Sequence, residues 1–470
     1  MRRIYFIGIA GSLMGNVAVL LKKGGNRVGG SDVGAYPPIS DLLAGEGISV
    51  DLGFQPEDLR RFEPEIVVVG NAVSRGNRQV EMVWGNAHYR VMSLPEVIDQ
   101  ELVGGRRRLV VSGTHGKTTT ASYAAYLGGL AGLQPGYLIG GYVPELGGGA
   151  ALGGETGVVI LEGDEYDSAF FDKRGKFLHY KPDVLVINNI EFDHADIFRD
   201  LAEVERSFRH LLATVKPGGK VFYNGDDVVA KSLFPVGWCS GVSVGFGEGN
   251  ERRLSMEGHF LQIEGSGDRL EVGVSTSVGA AEHLLRNAAM AALAVRHFGG
   301  SQHLDLSGFS GVKRRMELLG ANGKWEVLED FGHHPTAIRL TIEARRRSRP
   351  SERLWVAFEP RSNTACTNVF ERDFALALGL ADRVFLGPVF RAERYSEEKR
   401  LSLEKVQKII ETERNVPAVF ASTNEEILEL IERQMLDCEA EEGKTSIVFF
   451  TNGSFGGIQH CLAARISERE

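Results

Sequence analysis

The sequence predicts an α/β fold in three domains, and three observations carry that expectation. The chain has 470 residues, enough for about three domains of ordinary size. Short apolar runs that read as buried strands recur along it with glycines and helical stretches after them, at residues 4–21, at 109–127 and again beyond 354. The 58 glycines lie at the ends of such runs and form no repeat, as many strand-to-helix turns require.

Composition narrows the function classes. A net charge of −9, from 53 basic and 62 acidic residues with no basic tract, argues against a nucleic-acid surface. No apolar stretch approaches a membrane helix, and Met1 to Ile7 runs at once into glycines, too short for a signal peptide. Cys239, Cys366, Cys438 and Cys461 are scattered, so neither a disulfide framework nor a zinc site is indicated and a reducing compartment fits. A cytoplasmic protein without membrane partners is expected.

In the first domain, residues 1–104, Ile4 to Ile7 reads as a strand, Gly8 to Gly15 as a glycine turn and Val17 to Leu21 as a helix. A second strand is expected to end near Val28, before Gly30-Ser31-Asp32. Asp32 then stands where dinucleotide-binding folds put a ribose ligand. Ala10 replaces one glycine of that fingerprint, so a Rossmann-like scaffold without nucleotide and a dehydrogenase both stay open on this domain alone. Ile66 to Val69 reads as another buried parallel strand. Gly104 to Arg108 reads as a linker with solvated charges.

The second domain, residues 105–311, opens with the strongest signal in the chain. Leu109-Val110-Val111 reads as a strand, Ala121 to Leu127 as a helix, and Gly113-Thr114-His115-Gly116-Lys117-Thr118-Thr119-Thr120 lies between them. A glycine loop in that position cradles phosphate: its amides and the helix N-terminus favour an anion, Lys117 can reach the β/γ-phosphates, and Thr118 offers a hydroxyl to Mg²⁺. Gly157 to Leu161 is an apolar run ending at Glu162, which can present a carboxylate to Mg²⁺. Gly163 to Asp167 after it is unusually acidic, and Glu165 in it reads as part of a solvated loop. Asp183 to Asp196 reads as a further strand ending in a polar cluster that includes Glu191, Asp193 and His194, so the loop, Glu162 and His194 are expected to meet at one sheet edge and could share metals. Residues 242–274 read as an antiparallel elaboration. Glu282 begins an alanine-rich helix on which Asn287 is either a ligand or an exposed residue.

The third domain, residues 312–470, alternates strands at Leu354 to Phe358, Arg383 to Leu386 and Ser446 to Phe450 with helical segments near Val369 to Leu380 and Glu425 to Leu436, a second open α/β sheet. His333 and His334, just before Pro335, could cap a helix or bind; as a metal site the pair is a weak signal.

Taken in order, Gly113 to Thr118, Glu162 opening Glu-Gly-Asp-Glu-Tyr-Asp, Asn189 to His194, Lys313-Arg314-Arg315 and Asp330 to Pro335 resemble the motifs of the Mur ligases. These are ATP-dependent amide-forming enzymes of peptidoglycan synthesis. Gly30-Ser31-Asp32 with Tyr36-Pro37-Pro38, Phe358 to Thr364 and Asn452 to Ile458 are similar to the branch that recycles a cell-wall tripeptide.

The resemblance implies a Rossmann-like N-terminal domain, a central P-loop ATPase domain and a Rossmann-like C-terminal ligase domain. It implies ATP and Mg²⁺ as cofactors, with UDP-N-acetylmuramate and a cell-wall peptide as partners, in a monomer or weak homo-oligomer. By the same match Gly113, Thr114, His115, Gly116, Lys117, Thr118, Thr119, Asn287, Arg315 and Asp330 bind ATP. Thr118, Glu162 and His194 hold metal, and Lys117, Glu162 and His194 are catalytic. Gly8, Gly11, Ser12, Met14, Gly15 and Asp32 take the UDP-sugar, while Arg361, Ser362, Asn363 and Thr364 take the peptide. Leu284 stands where the family usually has an adenine-side asparagine, and Cys366 near a usual lysine. A ligase using L-alanine, a nicotinamide-dependent dehydrogenase and a non-catalytic nucleotide switch are the competing readings.

Overall fold

The structure is a computed structural model that describes every residue except 155–156, 266, 302–303, 441 and 469–470. It divides into two compact units, one of residues 1–191, 202–273 and 286–309, the other of residues 192–201, 274–285 and 310–470. Among the described residues no helix is long and apolar enough to cross a membrane.

The first unit begins with a five-stranded parallel sheet of β1 (Arg3–Ile7), β2 (Arg27–Asp32), β3 (Val50–Leu52), β4 (Ile66–Val69) and β5 (Arg90–Ser93), in the order β3-β2-β1-β4-β5. Ile4 to Ile7 and Ile66 to Val69 are almost wholly buried, as a parallel sheet covered on both faces demands. The strand order reverses beside β1, so the crevice at the ends of β1 and β4 is where such a sheet takes a ligand. β2 does not end at Val28; it runs on to Asp32, with Gly29 and Gly30 inside it. The reason is packing: a Cβ on Gly29 would stand 2.8 Å from the Phe62 ring, and one on Gly30 2.5 Å from the Phe6 carbonyl.

The same unit contains an eleven-stranded sheet centred on β6 (Arg107–Ser112). On one side lie β9 (Val158–Gly163), β7 (Gly136–Leu138) and β8 (Ala150–Ala151). On the other lie β12 (Val184–Ile187), β13 (Lys220–Asn224), β14 (Ser240–Gly245), β15 (Arg252–Glu257), β16 (Phe260–Gly265), β17 (Asp268–Gly273) and β18 (Leu304–Asp305). β7, β9, β6, β12, β13 and β14 are parallel, so their C-terminal ends share one edge. The expected antiparallel elaboration is β15 to β17.

Residues 104–108 are solvated only in part, with Gly104, Gly105 and Arg107 exposed and Arg108 buried. β6 already begins at Arg107, and Arg108, only 7% exposed, pairs with Asp99 at 2.7 Å and donates to the Tyr180 and Gly104 carbonyls. A buried guanidinium needs such partners to offset its lost hydration. A separate two-stranded hairpin of β10 (Asp167–Ala169) and β11 (Asp172–Gly175) presents Phe170 and Phe171 to Trp84 at 4.9 and 5.1 Å between ring centroids, so aromatic packing ties this hairpin to the core of the N-terminal sheet.

The second unit is built on a six-stranded sheet of β19 (Glu317–Ala321), β20 (Trp325–Asp330), β21 (Arg353–Phe358), β22 (Arg383–Leu386), β23 (Ala418–Phe420) and β24 (Thr445–Phe450), in the order β19-β20-β24-β21-β22-β23. Only the β19–β20 pairing is antiparallel. Its two faces carry separate cores, one around Phe358, Phe374 and Ile338, the other around Trp355, Phe449 and Ile431. The helix Pro335–Ser348 starts where Pro suits the first turn, and His334 Nδ1 accepts from Thr336 N at 3.3 Å, so capping is the role this histidine displays.

Candidate active site

β6 ends at Ser112 and the helix Lys117–Leu130 begins four residues past the sheet, with the glycine loop between them. The loop needs its glycines. Gly113 has φ +138°, and Gly116, at +79°, is the helix N-cap. A Cβ on Gly113 would lie 2.9 Å from Asn188 Cβ, and one on Gly116 2.9 Å from the amide nitrogens of both Asn188 and Asn287. Asn287 is therefore no exposed helix residue; it is 6% exposed and packs against the loop.

The loop is held by the end of the neighbouring strand β12. Thr114 N donates to the Asn189 carbonyl at 3.0 Å and His115 N to Asn189 Oδ1 at 2.8 Å, while Asn188 Nδ2 donates to the His115 carbonyl at 3.1 Å. Asn188 also donates to Thr120 Oγ1 at 3.1 Å, and Glu191 N to Thr114 Oγ1 at 2.9 Å. His115 Nε2 stands 3.6 Å from a Glu191 oxygen. The first-turn amides of the helix have no intrahelical partner by the geometry of any helix, so a rigid loop aims a fixed set of donors, with Thr119 half-buried among them, at one point.

Three charged side chains converge beside those amides. Thr118 Oγ1 donates to Glu162 Oε1 at 2.8 Å, and the other Glu162 oxygen accepts from Gly140 N at 2.7 Å. Lys117 Nζ donates to the Gly113 carbonyl at 2.8 Å and lies 2.9 Å from Glu165. Burial alone would lower the Lys117 pKa, but the Glu165, Asp164 and Glu162 carboxylates outweigh it and hold the ammonium above its ordinary value. Glu165 is thus not in a solvated loop: it is 3% exposed, drawn inward by this pairing. No local signal sets Glu165 apart from Asp164 and Asp167 beside it in the sequence.

In the N-terminal sheet, β1 gives way to a turn with Gly8 at φ +91° and the helix Ser12–Lys23, N-capped by Gly11. Gly11 and Ser12 are exposed at that N-terminus, whereas Met14 and Gly15 are buried, Gly15 so closely that a Cβ would stand 2.6 Å from Ile39. Asp32 braces the turn by accepting from Ala10 N at 2.9 Å.

His194, Arg315, Asp330 and the segment 361–364 belong to the second unit. His194 adopts left-handed φ +56°, its side chain 13% exposed and its carbonyl accepting from Ile197 and Phe198. Such a conformation in a non-glycine residue costs about 1 kcal/mol or more and clusters at working sites. Arg314 at +63° and Met316 at +50° show the same strain on either side of Arg315, whose guanidinium lies 5.1 Å from the Phe331 ring centroid. Asp330 accepts from Met316 N and Gly332 N at 2.9 and 2.7 Å; burial raises its pKa against the opposing pull of Arg315.

Arg361 stacks over Phe390 at 3.9 Å, with Nη1 3.4 Å from the buried Glu359, and its side chain is 27% exposed. Its contacts are thus an aromatic face and a carboxylate; the Pro360 carbonyl beside it accepts from Phe390 N and Cys366 Sγ. Ser362 Oγ accepts from Ala365 N, Asn363 Nδ2 donates to Asp196, and Thr364 Oγ1 accepts from Ala195 N.

Three family models match the chain in order: "Mur ligase family, catalytic domain" over residues 3–102, "Mur ligase middle domain" over 111–295 and "Mur ligase, glutamate ligase domain" over 314–449. The chain is 36% identical, over 99% of both sequences, to UDP-N-acetylmuramate–L-alanyl-γ-D-glutamyl-meso-2,6-diaminoheptandioate ligase of Haemophilus influenzae. It is 30% identical, over 83% of this chain and 85% of the other, to UDP-N-acetylmuramate–L-alanine ligase of Rubrobacter xylanophilus. The crystal structure of a murein peptide ligase from Psychrobacter arcticus superposes with a TM-score of 0.72 at 29% identity, covering all of both chains. With its glycine loop and acidic strand end inside the matched middle domain, and identity extending nearly end to end, the chain belongs to the Mur ligase family of ATP-dependent ligases.

Proposed function

We propose that this ligase joins the lactyl carboxylate of UDP-N-acetylmuramate to the amino end of the tripeptide L-alanyl-γ-D-glutamyl-meso-diaminopimelate, returning a cell-wall peptide to peptidoglycan synthesis in the cytoplasm. The observation that carries this reading is the near end-to-end similarity to the Haemophilus influenzae ligase of that name. The carboxylate attacks the γ-phosphorus of ATP, giving an acyl phosphate and ADP. The peptide amine then attacks the acyl carbon, phosphate leaves with the bonding pair, and the amine loses its proton.

A carboxylate and a triphosphate repel each other, so the first step needs positive charge beside the phosphates. Lys117 supplies it beside the loop amides, and its ammonium stabilises charge on the transferred phosphoryl group. Thr118 and Glu162 place two hard oxygen donors 2.8 Å apart, a donor set that suits Mg²⁺, and His194 is the further candidate ligand. A bound Mg²⁺ would supply neutralisation of the phosphate oxygens. In the N-terminal domain the helix N-terminus at the exposed residues Gly11 and Ser12 suits the UDP pyrophosphate, with Asp32 on the nucleoside side and Gly8, Met14 and Gly15 shaping the turn. Arg315, Asp330 and Asn287 are assigned to ATP, and Arg361 with Ser362, Asn363 and Thr364 to the peptide. Domain limits of 1–104, 105–311 and 312–470, and a monomer or weak homo-oligomer, complete the reading.

The L-alanine ligase reading is the alternative, favoured by the Rubrobacter xylanophilus relative. Phosphate release and product mass with UDP-N-acetylmuramate and ATP, comparing tripeptide with L-alanine, separate the two. Turnover with the tripeptide and little with L-alanine is expected; the reverse preference overturns the assignment.

A further inference from the structure

Lys117 is already neutralised in this structure, and by a residue with no place in the phosphate cradle. Its three N–H donors are engaged by the Gly113 carbonyl at 2.8 Å, by Glu165 Oε2 at 2.9 Å and Oε1 at 3.2 Å, and by the Thr114 carbonyl at 3.4 Å. The other acids nearby have nearer partners. Glu162 is held by Thr118 and Gly140, and Asp164 by Lys176 at 2.7 Å. Glu165 comes from the segment between β9 and β10, its side chain 2% exposed, so water cannot take over the carboxylate in place of the ammonium.

We propose that Glu165 is a built-in counter-ion for Lys117 that competes with nucleotide phosphate, so that nucleotide binding requires the ammonium to be given up by Glu165 in whole or in part. The inference rests on assigning ATP phosphate to the glycine loop. Its physical basis is the asymmetry of buried ion pairs: a buried ammonium without an anion is strongly unfavourable, and Glu165 satisfies that need when the nucleotide is absent. A phosphate oxygen brought to Lys117 meets it again, but also approaches the Glu165 carboxylate, and like charges at short range oppose binding. Glu165 therefore stabilises the empty loop and weakens the filled one. As a positioning residue it acts through Lys117 and needs no contact with substrate.

The test is calorimetric titration of ADP and of the non-hydrolysable analogue β,γ-imido-ATP, each with Mg²⁺, into wild type, Glu165→Gln, Lys117→Met and the double variant. Glutamine keeps the shape and removes the charge. Glu165→Gln is expected to lower the unfolding temperature of the empty protein while tightening both nucleotides about three- to tenfold, a change of roughly 0.7–1.4 kcal/mol. With Lys117 already methionine, the same exchange at 165 should change nucleotide affinity by less than about twofold. If Glu165→Gln does not fold, Glu165→Asp, whose shorter side chain withdraws the carboxylate from Nζ, is expected to tighten binding in the same direction. Unchanged or weaker binding by the charge-removing variant, or equal tightening in both backgrounds, overturns the inference. Failure of wild type to bind either nucleotide would instead refute the assignment of phosphate to the loop, and the inference with it.

Discussion

Gly116→Ala puts a single methyl group into a crowded part of the candidate site. Gly116 sits at φ +79°, where a side chain costs about 1–2 kcal/mol. Its new Cβ would lie 2.9 Å from the amide nitrogens of Asn188 and Asn287, well inside contact distance, so both must retreat. Asn188 cannot retreat freely, because its Nδ2 bonds the His115 carbonyl and Thr120 Oγ1 at 3.1 Å each; weakening them costs about 1 kcal/mol more. The sum, about 2–3 kcal/mol, falls on the loop conformation that aims the helix amides at phosphate. It corresponds to a drop of roughly 30- to 150-fold in kcat/KM for ATP, measured by phosphate release at saturating amine and UDP-sugar. Far-ultraviolet circular dichroism should stay that of wild type, with a lower melting temperature. A kcat/KM for ATP within about threefold of wild type would refute the argument that loop geometry sets nucleotide use.

Lys117→Ala should abolish measurable turnover, a loss of at least about 10²-fold, in a protein that stays folded but melts at lower temperature because buried Glu165 loses its partner; near-wild-type phosphate release would remove Lys117 from the chemistry. Arg361→Ala is expected to raise the KM for the tripeptide severalfold and leave UDP-N-acetylmuramate binding almost unchanged, and an unchanged tripeptide KM would exclude Arg361 from the peptide site. Glu162→Ala should lose Mg²⁺-dependent turnover with partial recovery at raised Mg²⁺, whereas unchanged Mg²⁺ dependence would count against its ligand role.

Asp172 tests a structural electrostatic claim. Arg174 donates to both its oxygens at 2.8 Å, which holds its carboxyl pKa below the ordinary value. A group with a depressed folded pKa contributes stability above its unfolded pKa, about 3.9, and loses it as pH falls through the folded value. The gap in urea midpoint between wild type and Asp172→Asn should therefore shrink as pH drops below about 4, and a constant gap would contradict the pairing.

What the sequence made legible was local. The apolar run ending at Ser112, the glycines at 113 and 116 and the alanine-rich helix after them announce a phosphate loop, because each rests on neighbouring residues. The strand that carries Glu162 near its end and the strand that stops at Ile187, just before Asn188, were also readable as apolar runs buried on both faces. What was not legible depended on partners far along the chain. Glu165 is 48 residues from Lys117, and nothing in an acidic run says which carboxylate turns inward. Arg108 finds the Tyr180 carbonyl 72 residues away, so a basic run that looks solvated proves to be the start of a central strand. Gly29 and Gly30 were read as punctuation after a strand when they are strand residues, glycine because Phe62 and the Phe6 carbonyl fill the space.

As a ligase of this family, the protein is proposed to form an amide bond between UDP-N-acetylmuramate and the tripeptide through ATP-driven acyl phosphate chemistry. The most direct test incubates pure protein with UDP-N-acetylmuramate carrying ¹⁸O in the lactyl carboxylate, with ATP, Mg²⁺ and the tripeptide, and weighs both products. A UDP-linked tripeptide formed one-for-one with phosphate, and one ¹⁸O carried into that phosphate, is the expected result. Phosphate without ¹⁸O, ATP hydrolysis with no amide product, or a product formed only with free L-alanine would contradict it.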